Sequence, residues 1–265
     1  MRVVNIASGS RGNCTLIETK TTKILLDVGL SIKELIKRLD EVNVNPQQID
    51  AVVITHEHMD HIKGLGSFTK RFKKPVFAHA DVWGVLEKNI GDVKDACENQ
   101  FTSLPFTIGN IKVTPFCVSH DSINCQGFTF ECGKAKFAYA TDLGYVSGSV
   151  YSNLVGAKLV FIESNHDLEM LKNNPLYPAY LKARIRGNSG HLSNSQCADA
   201  IVGLIKNGTR YFALSHLSEK NNTPQLAFQT IATAIINCGY TLEKDVFIRL
   251  TYQDKVGNNF NLKED

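Results

Sequence analysis

Four side chains that bind metal ions fall between positions 56 and 61: His56, His58, Asp60 and His61, in the pattern H-x-H-x-D-H. The apolar run Ala-Val-Val-Ile at 51–54 reads as a buried strand, and 62–72 read as a helix. The cluster is therefore expected on a strand-to-helix loop, where α/β sheets gather their sites. In an extended segment, positions two apart point the same way, so His56 and His58 can grip one ion. Asp60 and His61 stand at the turn into the helix and diverge, which suits a neighbouring ion. Imidazoles with a carboxylate fit Zn2+, Mn2+ or Fe2+ better than Ca2+ or Mg2+. Three of the 8 histidines lie here and no cysteine is near, which argues against chance and against a closed structural zinc.

Further side chains of the same type stand where other apolar strands end. Asp27 closes Leu25-Leu26 and is expected to brace the metal loop from behind. His120 follows the strand at 111–118, Asp142 follows a hairpin of 126–132 with 135–140, Glu163 ends 158–162, and His216 ends 211–215. A lone histidine at a strand end is usually structural, and His79 is read that way. Four strand ends carrying His or Asp around H-x-H-x-D-H are harder to dismiss. His166, three residues past Glu163, is a further candidate for the site.

These positions need a frame. Short strands are read at 3–7, 14–18, 23–26 and 75–79, with 246–252 as the last. Helices are read from a capping box at Ser31/Glu34, over 81–89, from a cap at Ser193 with Gln196, and from Pro224 to Cys238. The stretch 91–110 reads as irregular. Residues 8–13, Ser-Gly-Ser-Arg-Gly-Asn, can aim backbone N–H groups at an anion, which makes Ser10 and Asn13 candidate substrate contacts. Lys182, Arg184 and Arg186 are candidates for holding a nucleic-acid backbone. The run Lys70, Arg71, Lys73 and Lys74 reads as a solvated helix end.

With 265 residues, 43% hydrophobic, the chain can bury a large core, and it is read as a single domain over 1–265. A net charge of +3 neither demands nor excludes a nucleic-acid partner. The 7 cysteines are scattered and odd in number, without C-x-x-C, so reduced thiols in a cytoplasmic protein are expected. No signal segment and no apolar run of about 18 residues is seen, so no membrane association is expected.

Thr55 to His61, with His120, Asp142 and His216 downstream, resembles the metallo-β-lactamase fold. That resemblance implies an α/β protein: an αββα sandwich of two mixed β-sheets flanked by helices. It implies that His56, His58 and His120 hold one divalent ion, that Asp60, His61 and His216 hold a second, and that Asp142 bridges them. Zn2+, Mn2+ or Fe would serve. No cysteine replaces a ligand, which argues against lactam chemistry. Residues 8–14, 163–167, 190–194 and 214–218 are similar to the YycJ/WalJ (VicX) group, cytoplasmic hydrolases regarded as DNA exonucleases acting from 5′ ends. Glu163 and His191 also look like the accessory Glu/His pair of RNase Z. The resemblance thus implies a metal-dependent nuclease, with Asp60 orienting the attacking water, His191 protonating the leaving oxygen and Glu163 holding His191. A hydrolase of a small phosphodiester, thioester or lactone is the alternative, and a regulatory binding protein with a vestigial site is a third. The oligomeric state is left open, a homodimer among the options.

Overall fold

Strands beside the site carry apolar residues consecutively, as strands covered on both faces must. In Ile24-Leu25-Leu26, Ile24 and Leu26 point into a core between two sheets while Leu25 points to helices outside. Leu159 and Phe161 likewise face inward, and Val160 and Ile162 face outward. The computed structural model describes residues 1–90 and 98–264. Its strands are β1 (Arg2–Ala7), β2 (Cys14–Glu18), β3 (Lys23–Leu26), β4 (Ala51–Val53), β5 (Val76–His79), β6 (Glu98–Phe101), β7 (Phe106–Ile108), β8 (Ile111–Cys117), β9 (Gln126–Cys132), β10 (Ala135–Ala140), β11 (Leu159–Glu163), β12 (Tyr211–Ser215), β13 (Phe247–Leu250) and β14 (Asn259–Asn261). Its helices are α1 (Ile32–Glu41), α2 (Met59–Ile62), α3 (Leu65–Phe72), α4 (Ala80–Ile90), α5 (Gly148–Leu154), α6 (Leu168–Asn173), α7 (Ala179–Arg186), α8 (Asn194–Lys206) and α9 (Pro224–Asn237).

The strands form two 7-stranded mixed sheets, β14-β1-β2-β3-β4-β5-β6 and β13-β12-β11-β10-β9-β8-β7. The first turns from antiparallel to parallel at β3–β4, and the second, read from its β7 edge, does so at β10–β11. Phe128, Phe130, Phe137 and Phe161 fill the space between them. Helices cover the outer faces. Leu35 and Leu39 of α1 and Phe68 of α3 pack on one sheet, and Ile201 and Leu204 of α8 with Ile231 and Ile235 of α9 pack on the other. Each such side chain stabilises the fold by about 1.5–3 kcal/mol. The result is the αββα sandwich expected.

Three local readings differ. The helix expected over 62–72 is α2 and α3, broken where a Cβ on Gly64 would sit 2.1 Å from the carbonyl oxygen of Leu30. Of the stretch read as irregular, 91–97 lies outside the described residues, but 98–110 carries β6 and β7. Glu98, Asn99 and Gln100 are polar, as an edge strand tolerates, and give no apolar signal. The strand expected at 246–252 is not the last, because β14 follows and pairs with β1.

Candidate metal centre

The carboxyl ends of β3, β4, β10, β11 and β12 meet on one side of the sandwich. Asp27, Asp142 and His216 leave their strands with φ of 62°, 57° and 55°. That left-handed conformation costs an ordinary residue about 1–2 kcal/mol, and here it turns each side chain inward. The gathered side chains form overlapping clusters: His56, His58 and His120; Asp60, His61 and His216; and His56, His61 and Asp142. In each, the ligand atoms lie within 4.8 Å of one another. Two of these clusters are the ligand sets implied by the resemblance, and Asp142 stands between them. Its Oδ2 is 3.4 Å from His61 Nε2, and its Oδ1 is 4.0 Å from His120 Nε2 and 3.2 Å from His216 Nδ1.

Buried neighbours aim these rings. Asp27, wholly buried, lies 2.7 Å from His61 Nδ1 and accepts from the backbone N and Oγ1 of Thr55, each at 2.9 Å. Thr55 Oγ1 is also 3.0 Å from His56 Nδ1. The expected brace is present, and Thr55, which sequence reasoning quoted but gave no role, is its hub. These contacts turn His61 Nε2 toward Asp60 and Asp142. Asn13 is buried too, and its amide nitrogen lies 3.2 Å from Asp60 Oδ2 and 3.0 Å from His61 Nε2. The glycine loop does not form the anion cradle expected of it. The N–H groups of Ser8, Gly9, Arg11, Gly12 and Asn13 bond to Tyr252, Asn13, Gln253, Gly9 and Asp60 respectively, so the loop braces the metal loop instead. Ser8 Oγ accepts from the His216 N–H at 2.9 Å.

The electrostatics suit divalent cations. Burial makes charge costly for His56 and holds it neutral, the form that ligates, and His120 is lowered for the same first reason. Burial also opposes charge on His61 and His216. The carboxylates of Asp27, Asp60 and Asp142 around His61, and of Asp142, Asp60 and Glu163 around His216, override it and raise both rings well above the ordinary histidine range. A field that holds extra protons there also attracts cations, which displace them on binding. His56 Nε2 and His216 Nε2 are buried without hydrogen-bond partners in the described residues. Such an orphan atom costs about 1–3 kcal/mol, and a coordinated ion satisfies it. The donor set therefore fits divalent metal ions.

Glu163, fully buried, sits under the second cluster, with Oε1 2.8 Å from both His191 Nδ1 and His216 Nδ1. Its Oε2 accepts from the backbone N–H of Leu143 and Leu192. Burial alone would raise its pKa, but the charge and hydrogen bonds of His191 and the hydrogen bond from His216 hold it at about 2. Burial alone would lower His191, but Glu163 overrides it and raises the ring. His191 is half-buried.

The other candidates lie around this centre. Ser10 is exposed at the tip of its loop. Lys182 Nζ donates to the Lys172 carbonyl, Arg184 pairs with Asp121, and Arg186 is exposed. His166 is buried with both ring nitrogens unpartnered and is pushed down to about 4, chiefly by burial; it joins none of the clusters. His79 bonds near Asp81 and Asn124, as a structural histidine should. Among the described residues, no helix is long and apolar enough to cross a membrane.

A family model described as a β-lactamase superfamily domain matches residues 22–216. The chain is 37% identical over 233 residues to exodeoxyribonuclease WalJ of Streptococcus pneumoniae, covering 87% of this chain and 86% of that protein. It is 35% identical over 236 residues to exodeoxyribonuclease YycJ of Bacillus anthracis, covering 89% of each. Among solved structures, the metallo-β-lactamase fold protein YhfI of Bacillus subtilis superposes with a TM-score of 0.74 over 98% of both chains, at 16% identity, a likeness of fold. By sandwich, by motif and by this extent of identity, the chain belongs to the β-lactamase superfamily and, within it, to the family of WalJ and YycJ.

Proposed function

We propose that this chain is a metal-dependent exodeoxyribonuclease that degrades DNA from 5′ ends in the cytoplasm. His56, His58 and His120 would hold one divalent ion and Asp60, His61 and His216 a second, with Asp142 between them; Zn2+, Mn2+ or Fe suit these ligands. Such a pair of ions supplies water activation near neutral pH and offsets charge on a phosphodiester. The observation that carries the reading is the convergence of these seven side chains, two with buried unpartnered nitrogens, in a chain 37% identical to an exodeoxyribonuclease over 87% of its length.

The chain's own residues do the rest. Asp60, 24% exposed at the rim, orients the attacking water. Glu163 holds His191 by Nδ1, so its Nε2–H can give a proton to the leaving oxygen. Arg184, Arg186 and Lys182, with Ser10 across the site, hold the strand's phosphates, while Asn13 acts through Asp60 and His61.

Linear DNA labelled at either the 5′ or the 3′ end tests this. With Mn2+ or Zn2+, the 5′ label should appear early as short products while the 3′ label stays on shrinking strands. His58→Ala should lose about 10³-fold or more. Turnover of a chromogenic small diester without cleavage of DNA would turn the reading toward a small-molecule hydrolase.

A further inference from the structure

We infer that Tyr180 is a stacking platform for an unpaired nucleobase beside the cleaved phosphate, so that the protein engages DNA there as a single strand. This rests on the nuclease reading above and adds a substrate form to it.

Helix α7 buries none of its residues. Its Leu181 and Ile185, one turn apart, are only half-buried, and contacts at its ends and charges fasten it further. Past its carboxyl end, the His191 N–H donates to the Ile185 carbonyl at 2.9 Å, and Ser119 Oγ donates to the Asn188 carbonyl at 2.7 Å. Arg184 grips Asp121, whose Oδ1 is 3.3 Å from His120 Nε2. The helix is thus fastened to the rim of the metal centre at His120 and His191. Tyr180 lies one turn before Arg184, on the same face, about 6 Å along the axis.

Tyr180 and Leu176 are each 76% exposed, the most exposed large hydrophobic side chains among the described residues. They stand in a stretch of net positive charge. Between Glu169 and Asp199 there is no Asp or Glu; Lys172 pairs with Glu169 and Arg184 with Asp121, and Lys182 and Arg186 add two charges with no ionic partner among the described residues. An apolar protein partner would have to desolvate these charges. A single strand matches both features, because its phosphates meet the cations and its bases present flat apolar faces to the ring. A base inside a duplex has both faces covered, so the ring can receive a base only at an end or where the strand has come unpaired.

Steady-state cleavage of a single-stranded oligonucleotide by the metal-loaded protein tests the assignment. Tyr180→Ala should raise KM about 10-fold or more, in the range base–aromatic stacking gives. Tyr180→Phe should stay near the parent, and hydrolysis of bis(p-nitrophenyl) phosphate by the Ala variant should be unchanged. An oligonucleotide abasic over its terminal positions should lose the same factor with the parent and nothing more with the variant. If the parent cleaves DNA and Tyr180→Ala keeps its KM, the platform assignment falls alone. The same holds if the variant's only change is a dissociated dimer in solution, which would make the patch a subunit interface. If the parent cleaves no DNA, the nuclease reading falls first and this one with it.

Discussion

Asp27 and Asp142 close equivalent strands of the two sheets. β3 and β10 are each the strand at which an antiparallel run turns parallel. Both aspartates adopt a left-handed backbone, at φ of 62° and 57°, both are buried, and both accept from a neighbouring threonine, Thr55 and Thr141. Their chemistry nonetheless differs. Asp27 meets the far nitrogen of His61, and burial raises its carboxyl despite that partner. Burial would raise Asp142 too, but His216, His61 and His120 around it hold it well below the carboxylate range. The difference follows from how each half delivers ligands. The first sheet sends four on one loop, which needs a carboxylate behind it to fix His61. The second sends His120, Asp142 and His216 from separate strands, each fixed by its own strand end, and its carboxylate is left free to face the gathered ligand nitrogens.

The sharpest way to break this comparison is to neutralise each aspartate in turn. Asp142→Asn should slow DNA cleavage about 10³-fold, the several kcal/mol expected of a carboxylate shared by two ligand clusters at about 1.4 kcal/mol per decade. Metal bound per chain, measured by elemental analysis, should fall with it. Asp27→Asn touches no ion and should cost about 10–100-fold in metal affinity or activity, as losing a partner behind a ligating histidine does. Excess metal should restore much of the Asp27→Asn activity and little of the Asp142→Asn activity. Equal, unrecoverable losses would mean that Asp27 is no mere brace.

The same contrast explains what the sequence made legible. The contiguous half announced itself, because H-x-H-x-D-H follows an apolar strand within a few residues, and Asp27 was legible as a carboxylate ending another. The dispersed half could be read only as strand ends, and its assembly depended on the likeness to a known fold. Contacts between residues distant in sequence escaped. The loop at 8–13 looks like an anion cradle until the Asn13 N–H is found 2.7 Å from the Asp60 carbonyl. β14 is three residues long with Asn at both ends, and only pairing to β1 makes it a strand. Arg184, read as a phosphate contact, is also tied to Asp121, a partner that no local pattern announces.

The finest test concerns the carboxylate that the second sheet places where the first has none. Glu163 ends β11, the counterpart of the strand that leads into the metal loop, and it bonds both His191 and His216. A proton donor works only while protonated. Because Glu163 raises the His191 pKa, the donor form persists to higher pH, and activity should decline as pH rises through that raised value. Glu163→Gln keeps a hydrogen-bonding oxygen but removes the charge, so burial again dominates and the His191 pKa falls. The alkaline limb of kcat/KM should then move toward acid, leaving rates on the acid side little changed and lowering them on the alkaline side. His191→Ala should remove that limb altogether. A uniform loss at every pH in Glu163→Gln would instead assign the carboxylate to holding His216 in the metal cluster, and a limb that does not move would leave His191 without a role as the acid.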